Sequence, residues 1–195
     1  MTNPPRILAF AGSLRRDSLN KKLVRIAVEG ARAAGGEVTL IDLKELPLPV
    51  YDGDIEAAEG LPANAKALKA LMKSHQGFLI SSPEYNSMPS GALKNALDWA
   101  SRAEPGEAPL ACFKGKVCVL MSASPGALGG MRALPVLRNM LLNIHVLVLP
   151  DQLGLMRADT AFDESGRLKD QKQQASAEAL GAKLVEMLRR LGASG

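Results

Sequence analysis

The chain has 195 residues, 47% apolar and 23% charged, the composition of an ordinary globular protein with a substantial core. Its 24 basic and 20 acidic residues are interspersed, and the net charge of +4 slightly favours small anionic ligands while excluding a nucleic-acid-binding arm. No apolar run approaches the roughly 18 residues of a membrane helix, and no basic segment leads into a cleavable apolar stretch, so a cytoplasmic protein without membrane or nucleic-acid partners is expected.

Arg6 to Ala11 (RILAFA) reads as a first strand, followed at once by GSLRRDSLN. Helical periodicity then runs through Leu23, Ile26, Ala27, Gly30 and Ala34, and Gly35 and Gly36 end that helix. Val38 to Leu43 is a second strand. Lys44 to Leu61 holds dispersed turn formers and reads as a long surface connection with about one helical turn. Pro62 opens a helix through Ala65, Leu68, Leu71 and Met72.

Phe78, Leu79 and Ile80 form a short buried strand. It stops at Ser82, because Pro83 cannot donate to a ladder and biases the residue before it towards an extended conformation. Glu84, Tyr85 and Asn86 follow as a polar loop. Periodicity resumes at Leu93, Ala96, Leu97 and Ala100.

Ala103 to Lys116 is irregular. Val117 to Met121 is a fourth strand, and the small-residue loop SASPGALGGM follows it. A helix from about Met131 to Leu142 carries Leu134, Leu137, Arg138 and Leu141 on one stripe, with Pro135 in its first turn. His145 to Leu149 is a fifth strand and Asp151 to Arg167 an irregular excursion. The last helix runs from about Lys169 to Leu191, with Ala175, Leu180, Leu184 and Leu188 facing inward; Gly192 to Gly195 should fray. Alternation of this kind implies one α/β domain over residues 1–195, a doubly wound five-stranded parallel sheet with helices on both faces.

In a flavodoxin-like strand order, 2-1-3-4-5, the loops after the first, third and fourth strands meet at one sheet edge, where open α/β sheets bind ligands. The first loop offers Ser13, Arg15, Ser18 and Asn20 beside the free amides of a helix start, a cradle for one terminal phosphate. Gly12 allows close backbone approach or positive φ there. A dinucleotide fingerprint is excluded, since Gly12 is the only glycine before Gly30, and no GK[ST] ends the loop. The same residue types also make ordinary helix caps, so the local sequence leaves that alternative open. The second loop would present backbone amides, the Asn86 amide and the Tyr85 ring to a flat heterocycle. The glycine-rich third loop can approach closely. A mononucleotide with a planar base suits all three, and flavin mononucleotide (FMN) is the natural candidate.

With GSLRRDSLN after the first strand, SPEYNSMPSGALKNALDW after the third and SASPGALGG after the fourth, the chain resembles the NADPH-dependent FMN reductase family, which includes quinone, chromate and azo-dye reductases. The resemblance covers roughly Arg6 to Pro150. It implies a flavodoxin-like fold, bound FMN, hydride from NADPH or NADH, a small-molecule electron acceptor and a homodimer or homotetramer. It also implies that Ser13, Arg15, Ser18, Leu19 and Asn20 surround the FMN phosphate. Pro83, Glu84, Tyr85 and Asn86 would contact the isoalloxazine, with Ser122 and Ser124 nearby. Ser90 departs from the PGG or PGx of many members, which should alter the helix start more than the flavin contact.

Other residues have plainer readings. Glu84 is a positioning or ribose contact rather than a catalytic acid, because hydride transfer to flavin needs no side-chain base. Lys94 and Asp98, spaced i, i+4, pair on an exposed face. Trp99 packs under its helix or at a subunit contact. Cys118 is buried, Cys112 lacks the arginine of a phosphatase loop, and His75 and His145 lack partners at metal spacing. Arg15, Arg16 or Arg102 could select the 2′-phosphate of NADPH. The alternatives are a flavodoxin-type electron carrier, which pI ≈ 9.2 disfavours, and a phosphate-binding domain without flavin.

Overall fold

Five short apolar segments form the sheet of the computed structural model, which describes residues 3–192. They are β1 (Arg6–Ala11), β2 (Glu37–Asp42), β3 (Gly77–Ser81), β6 (Val117–Ala123) and β7 (Leu147–Leu155). All pair in parallel, in the order β2-β1-β3-β6-β7. The intervening β4 (Glu84–Tyr85) and β5 (Met88–Pro89) form a separate antiparallel hairpin. Counted within the main sheet alone, the strand order is therefore the flavodoxin-like one.

Both faces of the sheet are covered, which is why β3 and β6 are buried along their whole length. The period-two alternation of strands sends Ile7 and Ala9 to one face and Leu8 and Phe10 to the other. On the first face lie α1 (Leu19–Ala33) and α7 (Gln171–Gly192), contributing Leu23, Ala27, Leu184 and Val185. On the second lie α3 (Ala63–Ser74), α4 (Gly91–Ser101) and α5 (Ala133–Asn143), contributing Leu68, Met72, Leu93, Leu97 and Leu137. After α1, Gly35 takes φ +84°, and the Gly35 and Gly36 amides donate to Arg32 O and Ala31 O, both at 2.9 Å. This left-handed turn closes the helix as its glycines predict.

Several expectations need correction. Residues 44–61 hold a seven-residue helix, α2 (Gly53–Glu59), capped by Asp52, and Leu43 belongs to a 3₁₀ turn (Leu43–Glu45) rather than to β2. Pro62 caps α3 instead of opening it. His145 precedes β7 with φ +66°, and the strand continues past Pro150 into the segment expected to be irregular. Cys118 pairs with Val148 but Leu120 with Gln152, so three residues bulge opposite Val119. The Arg138 guanidinium spans that bulge, donating to Leu149 O at 2.8 Å and to Gln152 Oε1 at 3.0 Å. A four-residue helix, α6 (Ala158–Ala161), follows the strand. The inward stripe of α7 is Ala177, Leu180, Leu184 and Leu188; Ala175 is exposed, being about 140° around the helix from Leu180. Gly192 ends α7, and residues 193–195 lie outside the described residues.

The long connections are fastened to the helices beneath them. Trp99 is buried within its own chain, its Nε1 donating to Pro49 O at 2.8 Å and its ring edge-on to Tyr51. The Arg102 guanidinium bonds Glu56 and lies 5.3 Å from the Tyr51 ring centroid. Lys94 and Asp98 pair as expected. Lys69 is 1% exposed and donates to Glu107 and to Arg102 O, tethering residues 102–107. Both cysteines are buried, and burial pushes the Cys112 thiol up to about 11.

Candidate active site

The loop after β1 is held in shape from within. Gly12 N–H donates to Ser81 O at 2.8 Å. A Cβ on Gly12 would lie 2.9 Å from Leu93 Cβ, so the close approach that requires glycine here is to α4. Ser13 Oγ accepts from Arg15 N–H and Ser18 Oγ from Lys21 N–H, both at 3.4 Å, the latter capping α1. The first turn of α1 carries no acidic residue, so its dipole is left for an external anion. Lys21 is committed elsewhere, its ammonium 2.6 Å from Asp42. Burial raises the Asp42 carboxyl, but the Lys21 and Lys44 hydrogen bonds outweigh that and hold it below its ordinary value. Arg15 is exposed, with no acidic partner for its guanidinium among the described residues.

The loop after β3 is the hairpin β4–β5. Asn86 and Ser87 take φ +53° and +67°, the two left-handed residues of a tight hairpin turn, and Tyr85 faces Met88 across it. Glu84 Oε2 accepts from the Arg132 and Ala133 amides, each at 2.9 Å, at the start of α5. Ser90 caps α4, accepting from Leu93 N–H at 3.1 Å, and its hydroxyl donates to Gly12 O.

In the loop after β6, Ser124 Oγ accepts from Gly126 N–H at 3.1 Å. Gly129 and Gly130 take φ +58° and +81°, and a Cβ on Gly130 would lie 1.8 Å from Ser122 Oγ. Only glycine fits that corner. Ser122 is wholly buried beneath it, and its Oγ has no hydrogen-bond partner among the described residues.

The three loops enclose one cleft above the switch point between β1 and β3. Ser13, Arg15, Ser18, Leu19 and Asn20 line one side, Pro83, Glu84 and Tyr85 another, and Ala123, Ser124 and Pro125 the third. Of the predicted site residues, Asn86 stands outside this lining at the exposed hairpin tip, and Ser122 lies under the third loop rather than at the cleft surface. Ala123 and Pro125 flank Ser124 and belong to the lining as well, although neither residue type carries a polar signal in the sequence. Arg102 is occupied by Glu56. Asn20 is inside the cleft wall, but its Oδ1 accepts from Ala123 N–H and from Ser81 Oγ, and its Nδ2 donates to Ala123 O.

The donor set suits a phosphate monoester: two hydroxyls, helix-start amides and one guanidinium. Pro83, Tyr85, Ala123 and Pro125 supply walls against which a flat ring can lie. Among the described residues no cluster of His, Cys, Asp and Glu could hold a metal ion.

Residues 5–160 match the family described as NADPH-dependent FMN reductase. An NAD(P)H-dependent FMN reductase of Pseudomonas aeruginosa is 36% identical over 174 residues, covering 88% of this chain and 89% of its own. A quinone reductase of Escherichia coli is 32% identical over 173 residues, 88% of each chain. Among solved structures, the flavoenzyme NAD(P)H:(acceptor) oxidoreductase of Paracoccus denitrificans superposes with a TM-score of 0.80 at 27% identity, covering 95% of this chain and 98% of that one.

Proposed function

The chain belongs to the NADPH-dependent FMN reductase family, and we propose that its three-loop cleft holds FMN and serves an NAD(P)H-dependent quinone reductase. The observation that carries this reading is the junction, in one cleft, of a helix capped by Ser18 whose first turn has no acidic residue, the Ser13 and Arg15 side chains of the loop before it, and the flat walls of Pro83 and Tyr85.

The hydroxyls of Ser13 and Ser18, the amides beginning with Leu19 and the Arg15 guanidinium bind the phosphate. Pro83, Tyr85 and Ser124 orient the ring, and Asn86, at the hairpin tip beside the lining, is the further contact that the family resemblance implies. Bound FMN supplies the redox chemistry, taking electrons from NADPH or NADH and passing them to the acceptor. One open face of the flavin, used in turn by donor and acceptor, would account for a ping-pong cycle with broad acceptors: quinones, free flavin, azo compounds and oxyanions such as chromate. Residues 1–195 form one such domain, working in the cytoplasm as a homodimer or homotetramer. Exposed Tyr85, Met88, Leu128 and Met131, on the hairpin and third loop, favour a covering neighbour or an apolar acceptor there.

An absorbance spectrum of the purified protein, before and after anaerobic NADPH or NADH, tests the reading. Flavin bands bleached by either donor are expected. Bands that persist with both would favour an electron carrier, and failure to take up added FMN would mean another ligand.

A further inference from the structure

Glu84 is placed where the family reading expects a ligand contact, yet its carboxylate is turned away to a helix end. Oε2 receives the amide protons of both Arg132 and Ala133 at 2.9 Å, and Arg132 Nε lies 3.7 Å from Oε1. α5 has no cap of its own, since the residue before it is Arg132, in helical conformation and without a side-chain cap bond. Its first free amides are thus satisfied by a carboxylate from another loop, 48 residues earlier. The Cβ position of Gly130 is 3.8 Å from Glu84 Cβ, so the same side chain lies beside the glycine corner of the third loop.

We propose that Glu84 is a positioning residue: an external cap on α5 that locks the β4–β5 hairpin to the third loop and so sets the spacing of two walls of the cleft. Two other ties complete a ring. Ser90 joins the hairpin's far end to the first loop at Gly12, and Asn20 joins the first loop to the third at Ala123. The Glu84 link is the only one of the three made by an ionisable group, and it spans the two loops that would flank a flat ring. Its effect on FMN rests on the proposed function; the cap itself does not.

The test uses the full chain without and with FMN. Hydrogen exchange on the FMN-free protein should show the Arg132 and Ala133 amides exchanging about tenfold faster in Glu84→Ala, the size of a lost cap. Glu84→Gln, which keeps a carbonyl acceptor, should stay within about twofold of the parent, and so should Arg132→Ala, which removes an exposed ion pair and a 3.4 Å contact to Ser87 Oγ but leaves both amides capped. FMN affinity, read by quenching of flavin fluorescence, should follow the same order: weakened about tenfold by Glu84→Ala, little changed by Glu84→Gln. Glu84→Asp, one methylene shorter, should behave like the alanine variant and serves if that variant does not fold. Unchanged exchange at residues 132 and 133 in Glu84→Ala or Glu84→Asp would overturn the cap. Equal loss of FMN affinity in Glu84→Gln, with parental exchange, would make Glu84 a direct ligand instead. A parent that fails to bind FMN, yet shows the exchange pattern, would refute the FMN reading and leave the cap standing.

Discussion

The side chain of Asn20 pairs with the main chain of Ala123 as one strand pairs with the next: Nδ2 donates to Ala123 O and Ala123 N–H donates to Oδ1, both at 2.9 Å. Ser81 Oγ donates to the same Oδ1 at 2.8 Å, so one amide fastens the start of α1 across the ends of β3 and β6. Asn20 is 3% exposed. Asn20→Ala should therefore strand buried polar groups and lower stability by about 2–3 kcal/mol in urea unfolding. Asn20→Asp should not rescue it, because a carboxylate has no proton for Ala123 O. A loss below about 1 kcal/mol would show that water takes over these bonds.

Arg15→Ala should weaken FMN binding about 10- to 100-fold, the size of a charge-assisted contact to phosphate, with no change in thermal midpoint. The exposed guanidinium has no acidic partner in the described fold, so its loss leaves nothing unsatisfied. Fluorescence titration at several salt concentrations checks both the size and the expected screening. An unchanged dissociation constant would remove Arg15 from the phosphate site.

Where α1 crosses α7, a Cβ on Gly30 would lie 1.9 Å from Glu178 O and a Cβ on Gly181 1.9 Å from Ala27 O. Gly30→Ala and Gly181→Ala should each cost more than about 2 kcal/mol, although alanine gains about 1 kcal/mol of helix propensity. Gly91→Ala is the control, with nothing within 4 Å of the added carbon, and should be neutral or slightly stabilising. Chemical denaturation of the three variants tests the contrast.

Acid should loosen the tether between α3 and residues 102–107. Burial raises the Glu107 carboxyl, but hydrogen bonds from Lys69 and Lys73 outweigh it and hold the group at about 2, against an ordinary 4.5. A depressed carboxylate stabilises the fold fully above its unfolded value and loses that contribution as pH falls through the folded one. The thermal midpoint should thus decline between about pH 5 and pH 2, and Glu107→Gln should flatten that slope. At pH 7, Glu107→Ala should cost about 3 kcal/mol by leaving the buried Lys69 ammonium only Arg102 O and the Glu104 carboxylate at 3.7 Å, and Lys69→Met should cost less. Equal slopes in parent and Glu107→Gln would assign the acid sensitivity to other groups.

Much of the architecture was legible because its signals are local. Alternation in Arg6–Ala11 sorts Ile7 from Leu8, Pro83 ends β3, and Gly35 ends α1; each depends only on chain neighbours. The same holds for the sheet edge on which GSLRRDSLN, PEYNSMPSG and SASPGALGG meet, since parallel crossovers leave no other side for those loops. Reading failed where a local breaker is overruled from a distance. Pro150 looks like the end of β7, but Arg138 carries the strand past it by binding the carbonyls that the bulge frees.

Residue types and spacing thus determined the alternation of strands and helices, and with it the α/β class and the sheet edge that three loops share, because periodicity and chain breakers act over a few residues; the strand order was implied by the family resemblance and is fixed by the tertiary pairing. The tertiary structure decided what the polar residues in those loops touch. Glu84 meets an amide 48 residues away and Asn20 a peptide group 103 away, distances along the chain at which no sequence period operates. Those meetings are set by strand spacing and helix packing, and so are the two glycines that let α1 and α7 bring their backbones together.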